Sequence, residues 1–277
     1  IQSHIMQSSF IKPILVFIVS CGVSQQFLPI AQAEEVIRDV SFKANHDGSN
    51  QKYIELLPTG FDKTQRHDVL ITLHGHGSDR WQFIKQLRGE CVGSRQVAAR
   101  HKMILISPDY RAKTSWMGPA AEADLVQIIA TLKTQYRIDK IILLGGSMGA
   151  TGALTFTALH ANLIDGVVAL NGTADLVHYQ NFNAAIAESF GGTQVEIPDE
   201  YKRRSAIYFP HKFTMPIACT TGANDNIVPP QSVLKLLQQV KPFSKHVLSI
   251  HHATGGHSTS LADTIQAIEF VLTALHK

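Results

Sequence analysis

Residues 141–149 read IILLGGSMG, and they form the most informative stretch of the chain. Four apolar residues that suit a buried strand lead into a serine flanked by glycines, and the helix-forming sequence ATGAL follows at residues 150–154. A strand, a sharp turn and a helix in this order hold the turn serine in a strained backbone conformation. The positions two before and two after the serine must be small, because strand and helix pass close together there, and Gly145 and Gly149 occupy them. The pattern G-x-S-x-G therefore predicts Ser147 as a nucleophile, provided that the rest of the chain supplies its partners.

Apolar strands alternate with helices through most of the chain. Two strands near residues 36–42 and 53–58 flank a polar turn and are predicted to pair antiparallel. The later strands are apolar throughout, which indicates burial on both faces and a mostly parallel sheet between two layers of helices. These strands are predicted at residues 69–73, 103–107, 141–144, 166–170, 217–220 and 247–250, with helices at 120–136, 231–240 and 261–275. We expect one α/β domain over residues 34–277, with a polar insertion at 175–215 over the active-site edge.

Composition excludes some classes of partner. The chain has 277 residues, of which 44% are hydrophobic, and this is enough for one large core. The formal net charge is only +3 and no basic block stands out, which argues against nucleic acid as a partner. His74 and His76 lie two residues apart, but nothing nearby completes a set of metal ligands. We therefore expect neither a metal ion nor a cofactor.

Residues 1–33 have the composition of a secretory signal peptide. Lys12 is the only charge before Glu34, residues 14–19 form a short apolar core, and residues 31–33 read AQA, a small-x-small cleavage pattern. This apolar segment is shorter than a transmembrane helix needs to be, so we expect a secreted or periplasmic mature protein without a stable membrane span. The alternative is a lipoprotein anchored at Cys21, because residues 18–21 read IVSC.

Cleavage before Glu34 would leave two cysteines, Cys91 and Cys219. An oxidising compartment permits a bond between them, but the sequence does not place them together. Cys219 lies in a predicted core strand, so we expect an inert buried thiol at that position.

A nucleophilic serine needs a base, a group that orients the base, and donors for the oxyanion. In this kind of sheet, an acid and then a histidine follow the serine along the chain, at the ends of later strands. Asp225 follows the strand at 217–220 and is the predicted acid, with Asp175, after the preceding strand, as the alternative. His257 follows the last strand and a Gly-Gly pair, and it is the predicted base. His251 and His252 compete with it, but they lie at the strand end itself.

Two backbone N–H groups are expected to bind the oxyanion. One belongs to Met148, directly after the serine, and the other to His76, in a glycine-rich loop after an early strand. Tyr110 and Trp116, on the loop after another strand, are candidates for a substrate-binding wall, although lid packing explains them equally well. Aromatic residues of the insertion either line the same cleft or fix the insertion to the body: Phe182, Phe190, Tyr201, Tyr208 and Phe209.

Longer motifs carry two family resemblances. Residues 122–125 (EADL), 136–140 (YRIDK) and 146–149 (GSMG) are similar to secreted feruloyl and acetylxylan esterases and to polyhydroxybutyrate depolymerase-like esterases. Residues 201–206 (YKRRSA) and 222–229 (GANDNIVP) resemble the catalytic domain of the prolyl oligopeptidase (S9) family. All of these families lie within the α/β-hydrolase superfamily.

The resemblance implies an α/β-hydrolase fold over roughly residues 50–277, with Ser147 as nucleophile, Asp225 as acid, His257 as base and no cofactor. S9 peptidases usually carry a large N-terminal propeller, for which this sequence offers no room. We therefore expect an exported serine hydrolase that cleaves small or polymer-borne carboxylic esters through an acyl-enzyme. Two alternatives stay open: an S9-type peptidase or aminoacyl hydrolase, and a binding protein that kept the fold and lost the chemistry.

Overall fold

The computed structural model describes Ile1 and residues 35–277, so the predicted signal peptide and its lipoprotein alternative lie almost entirely outside the described residues. The described residues form one eight-stranded sheet in the order β1-β2-β4-β3-β5-β6-β7-β8. Strands β1 and β2 pair antiparallel, β2 and β4 also pair antiparallel, and all other neighbours are parallel. The strands are β1 Val36–Lys43, β2 Asn50–Leu57, β3 Arg66–Leu73, β4 Ile104–Pro108, β5 Arg137–Gly146, β6 Gly166–Leu170, β7 Ile217–Gly222 and β8 Val247–His252. This is the mostly parallel sheet with an antiparallel start that the sequence predicts.

The central strands are buried on both faces, which explains their unbroken apolar sequences. Along β5, Leu143 enters one hydrophobic cluster, while Ile142 and Leu144 enter a second cluster on the opposite face of the sheet. All three side chains are fully buried. Because side chains alternate between the two faces of a strand, a strand covered on both sides must be apolar at every position.

Within residues 35–277, eight α-helices accompany the sheet: α1 Gln82–Lys85, α2 Gly89–Arg100, α3 Pro119–Gln135, α4 Met148–Leu159, α5 Asn183–Phe190, α6 Pro198–Arg203, α7 Gln231–Val240 and α8 Leu261–Leu275. The structure confirms the predicted helices α3, α7 and α8 to within a residue, and the helix after the serine is α4. The sequence analysis did not predict helices α1 and α2. Residues 89–100 (GECVGSRQVAAR) have no clear apolar stripe, and α2 is instead stabilised by packing against α8.

The segment between β6 and β7 contains α5, α6 and two short 3₁₀ turns, and it has no strand, as the sequence predicts for 175–215. A fully buried arginine fixes it to the body. Arg204 donates to the Met117 carbonyl oxygen at 2.7 Å and to Glu122 at 2.7 Å, and its Nε lies 2.6 Å from Glu200. A buried guanidinium requires such partners, because an unpaired charge in the interior is very costly. The network ties the insertion to the start of α3.

The two described cysteines are free thiols. Both are buried, and they lie in different hydrophobic clusters, Cys91 in one and Cys219 in the other. Burial raises the pKa of each thiol to about 12, so both stay protonated and unreactive near neutral pH. The expectation of an inert thiol at Cys219 is therefore met. Among the described residues, no helix is both long enough and apolar enough to cross a bilayer.

Candidate active site

Ser147 lies in a strained turn between β5 and α4. Its φ of 57° and ψ of −119° place it in a region that L-residues rarely adopt. Gly145 and Gly149 surround it at the predicted positions. A Cβ atom on Gly149 would overlap the carbonyl oxygen of Leu73, and one on Gly145 would overlap the backbone of Gly149. The turn exists because neither position carries a side chain.

We expect Gly149→Ala to destabilise the fold by about 3 kcal/mol or more, because the new Cβ must displace backbone of β3 rather than a flexible side chain. This corresponds to a fall in Tm of roughly 6–12 °C for a domain of this size. Gly256→Ala is the matched control, since a Cβ there meets no atom within 4 Å. Thermal unfolding of both variants checks the prediction, and equal Tm values for them would contradict it.

The structure brings the three predicted catalytic side chains together. Ser147 Oγ lies 2.8 Å from His257 Nε2, and His257 Nδ1 lies 2.7 Å from Asp225 Oδ2. An ionised carboxylate only accepts hydrogen bonds, so Asp225 requires the proton on Nδ1 and leaves Nε2 free to accept from the serine hydroxyl. This geometry allows His257 to remove the hydroxyl proton. The serine and the histidine are 110 residues apart in sequence.

Asp225 is held rigidly beneath the imidazole. Its Oδ1 accepts the backbone N–H groups of Ile227 at 3.0 Å and Val228 at 2.8 Å, and its side chain is 1% exposed. Sequence analysis missed a second contact: Asn171 Nδ2 lies 3.5 Å from Asp225 Oδ2 and 3.3 Å from the Gly256 carbonyl oxygen. Asn171 directly follows β6, at the same edge of the sheet as Asp225. This position at the end of a strand is the sequence feature from which a role for Asn171 beside the acid could have been predicted.

The alternative acid and bases lie elsewhere. Asp175 pairs with His178 at 2.8 Å, on the insertion side, and does not contact His257. His251 Nδ1 is 2.9 Å from Thr221 Oγ1, and His252 pairs with Asp263 in α8. The order of the strands explains why Asp225 rather than Asp175 meets His257. Strand β7, which precedes Asp225, lies directly beside β8, and the loop after β8 carries His257.

The loop after β3 carries the backbone N–H of His76, and His76 lines the same cleft as Ser147. The N–H of Gly75 donates to Gln82 Oε1 at 2.9 Å, and that of Gly77 donates to the Lys113 carbonyl oxygen at 2.9 Å. Among the described residues, none accepts the N–H of His76. Met148, the first residue of α4, likewise has an N–H without an intrahelical acceptor. Both N–H groups that the sequence predicts as oxyanion donors therefore lack an acceptor among the described residues, and their role stays a prediction.

The structure contradicts the prediction that Tyr110 and Trp116 wall the substrate pocket. Both side chains are almost completely buried, and neither lines the cleft. The Tyr110 hydroxyl donates to the His74 carbonyl oxygen at 2.5 Å, and the Trp116 indole N–H donates to His76 Nδ1 at 3.2 Å. Their loop folds under the loop of residues 74–77 and braces it, since burying both rings stabilises the fold more than exposing them would.

The two loop histidines differ in their surroundings. His74 is buried with its ring nitrogens 2.9 Å and 3.1 Å from the carbonyl oxygens of Gly75 and Asp109, and burial lowers its pKa. Partial burial also lowers the pKa of His76. The hydrogen bond from the Trp116 indole requires a neutral His76 ring, because Nδ1 can accept this bond only when it carries no proton.

A cleft of about 400 Å³ opens above Ser147. Its apolar wall is formed by three side chains: Leu170, Phe182 and Ile227. The cleft also has a polar rim, formed by residues of α1, of α2 and of the loop between them: Gln82, Gln86, Arg88 and Glu90. Sequence analysis missed this rim because it did not predict either helix. Of the insertion aromatics, Phe182 lines the cleft, whereas Phe190 and Tyr201 pack against each other with ring centroids 5.0 Å apart. Within residues 35–277, no group of three or more His, Cys, Asp or Glu side chains is placed to hold a metal ion.

Comparison with protein families gives a direct match. The sequence model of the prolyl oligopeptidase family, peptidase family S9, matches residues 111–273, which is more than half of the chain. The chain belongs to the prolyl oligopeptidase family. The matched residues include the elbow, Asp225 and His257, and the family and the fold together make the protein an α/β-hydrolase-type serine hydrolase. No curated protein matches the sequence.

Solved structures share the fold of this prolyl oligopeptidase family member at low sequence identity. A puromycin hydrolase superposes with a TM-score of 0.69 at 15% identity, over 88% of this chain and 39% of its own. The acylaminoacyl peptidase of Pyrococcus horikoshii gives 0.67 at 14%, over 89% of this chain and 43% of its own. An S-formylglutathione hydrolase from Agrobacterium tumefaciens gives 0.68 at 14%, over 89% of this chain and 99% of its own. The chain therefore spans less than half the length of the puromycin hydrolase and of the acylaminoacyl peptidase, and nearly the whole length of the S-formylglutathione hydrolase.

Proposed function

We propose that the protein hydrolyses carboxylic esters, with Ser147 as nucleophile, His257 as general base and Asp225 as the group that orients the base. The observation that carries the proposal is the continuous series of contacts from Ser147 Oγ to His257 to Asp225, at 2.8 Å and 2.7 Å, opening into a cleft. A serine hydroxyl is a weak nucleophile alone, and this arrangement is the one that activates it.

In the first half of the reaction, Ser147 Oγ attacks the ester carbonyl carbon while its proton passes to His257 Nε2. The N–H groups of His76 and Met148 donate to the oxyanion that forms. The tetrahedral intermediate then collapses, the bond to the alcohol oxygen breaks, and the alcohol leaves with the proton from His257. The products of this half are the free alcohol and an ester of Ser147.

In the second half, a water molecule takes the place of the alcohol. His257 removes its proton as the water oxygen attacks the acyl carbon, and the same two N–H groups stabilise the second oxyanion. Collapse releases the carboxylic acid and returns the proton to Ser147 Oγ. Asp225 stays ionised throughout and stabilises the imidazolium each time it forms.

The cleft favours an ester over a peptide with a free amino terminus. A carboxylate that has no other partner is the group that binds a substrate ammonium most strongly. The carboxylate of the cleft rim, Glu90, is already paired with Arg88 at 2.7 Å. Membership of the prolyl oligopeptidase family favours the second candidate, a peptidase or aminoacyl hydrolase, and the substrate panel below separates the two.

We expect 4-nitrophenyl acetate and methyl ferulate to be hydrolysed and alanine 4-nitroanilide to be a poor substrate. The better ester should exceed the anilide by at least about tenfold in kcat/KM, which is about 1.4 kcal/mol of transition-state binding. The Ser147→Ala variant supplies the background rate for each compound. A kcat/KM for the anilide equal to or above that of both esters would assign the protein to the peptidases instead.

We also propose that the protein acts outside the cytoplasm. The support is the composition of the first 33 residues, with its apolar core and AQA cleavage pattern. The substrate would then be an ester of a small molecule or of an extracellular polymer. N-terminal sequencing of the exported protein separates cleavage before Glu34 from lipidation at Cys21.

A further inference from the structure

We propose that Arg88 forms a carboxylate-binding subsite in the active-site cleft, so that the preferred esters carry a carboxylate group. The inference rests on the proposed ester hydrolysis and names the class of substrate for the same site. Arg88 and Glu90 line the same cleft as Ser147 and His257. Arg88 is the one arginine or lysine among the described residues that line it.

The backbone at Arg88 is held in place from two sides. Its carbonyl oxygen accepts the N–H groups of Cys91 and Val92, both at 3.0 Å, in the first turn of α2. The next residue, Gly89, lies against the backbone at the start of α8, where a Cβ would come within 2.6 Å of the Leu261 nitrogen. The Arg88 side chain therefore starts from a rigid position at the rim of the cleft.

The guanidinium is also held at its far end. Arg88 Nη2 lies 2.7 Å from Glu90 Oε1, and the Glu90 side chain is only 7% exposed, whereas that of Arg88 is 54% exposed. The Glu90 carboxylate is thus buried whereas the guanidinium is open to solvent, so an approaching ligand meets the positive partner. A guanidinium has five N–H donors, and this ion pair is its one polar contact among the described residues.

A substrate carboxylate is the group that fits these remaining donors. Guanidinium and carboxylate form two parallel hydrogen bonds, which gives direction as well as affinity. Pre-organisation of the side chain by Glu90 lowers the entropy lost when the substrate binds. A substrate ammonium group would instead meet a guanidinium of the same charge. The buried Glu90 does not attract it, because Arg88 already offsets the charge of that carboxylate.

Two matched pairs of esters test the subsite, because the carboxylate can lie on either side of the scissile bond. On the acyl side, the mono-4-nitrophenyl ester of adipic acid is compared with its methyl ester. On the leaving-group side, 3-acetoxybenzoate is compared with methyl 3-acetoxybenzoate. We expect kcat/KM for the acid to exceed that for its neutral partner about tenfold or more in one pair, as a charge-assisted hydrogen bond allows.

The Arg88→Gln variant should lower that preference to about one or below, because it removes the guanidinium and leaves the Glu90 carboxylate without its partner. Arg88→Lys should retain part of the preference, since it keeps the charge and loses the paired donors. Arg100→Gln is the matched control. Arg100 is the last residue of α2, its side chain is 55% exposed, and it pairs with Glu269 at 2.6 Å away from the cleft. This control should keep the full preference.

Three outcomes contradict the inference in distinguishable ways. Hydrolysis of the neutral esters with no preference for the acid in either pair overturns the subsite and leaves the proposed function standing. A preference that survives in Arg88→Gln does the same, because the recognition then lies elsewhere. Failure of the wild-type protein to hydrolyse any of the four esters overturns the proposed function, and the subsite with it.

Discussion

Replacing Ser147 with alanine is expected to lower kcat for 4-nitrophenyl acetate on the order of 10⁶-fold. The variant lacks the attacking oxygen, and nothing else in the cleft is placed against His257 Nε2. The remaining slow hydrolysis would come from His257 acting on water and from the two oxyanion donors. Because alanine and serine meet the same backbone strain at a φ of 57°, we expect the Tm to stay nearly unchanged.

The control for this prediction is Ser41→Ala, which removes an exposed hydroxyl from β1 and should leave kcat unaltered. Labelling with a fluorophosphonate gives an independent measurement. The wild-type protein and Ser41→Ala should be labelled on the peptide that contains Ser147, and Ser147→Ala should not be labelled. Failure of the folded wild-type protein to label would favour the third hypothesis, a binding protein without catalytic chemistry. Label on another serine would remove Ser147 from the mechanism.

Replacing Asp225 with asparagine is expected to lower kcat about 10⁴-fold. An amide nitrogen facing Nδ1 forces the proton onto Nε2, so the imidazole can no longer accept the proton of Ser147. Asparagine retains an oxygen that can accept the N–H groups of Ile227 and Val228, so the loop should keep its conformation. The loss would therefore reflect chemistry rather than folding.

Asp175→Asn is the matched control for Asp225→Asn. Asp175 also follows a central strand, but its partner is the largely exposed His178. We expect less than about a threefold effect on kcat/KM, since exposed ion pairs contribute little. Steady-state kinetics of both variants at one pH measures the difference. A larger loss in Asp175→Asn than in Asp225→Asn would transfer the acid to the earlier strand.

Local sequence signals predicted the parts of this molecule that depend on local physics. The apolar strands, the helix predicted at 120–136 and the small residues around Ser147 each follow from periodicity or from close backbone approach. Helix α2 could not be found in that way, because its sequence is not amphipathic and its stability comes from packing on α8. The polar rim of the cleft depends on α1, α2 and the loop between them, and it was therefore missed as well.

Two aromatic residues show the same limit of prediction from local sequence. Tyr110 and Trp116 follow a strand at the functional edge of the sheet, which made them candidates for the pocket wall. The structure buries both rings beneath the loop of residues 74–77, and each ring makes a hydrogen bond to that loop. Sequence gives the edge on which a loop begins, but not whether its side chains face the cleft or the core. Only the packing of one loop on another decides that.

Local sequence patterns are enough to predict the nucleophile elbow, the α/β sheet and the chain order serine, acid, histidine, because these depend on spacing along the chain or on the steric limits of one turn. Tertiary packing determined which side chains meet at Ser147. It placed Asp225 rather than Asp175 beside His257, left the N–H of His76 unpaired, and brought Arg88 to the cleft. These outcomes depend on which strands are neighbours and on how residues far apart in the chain pack together, and no local pattern encodes that.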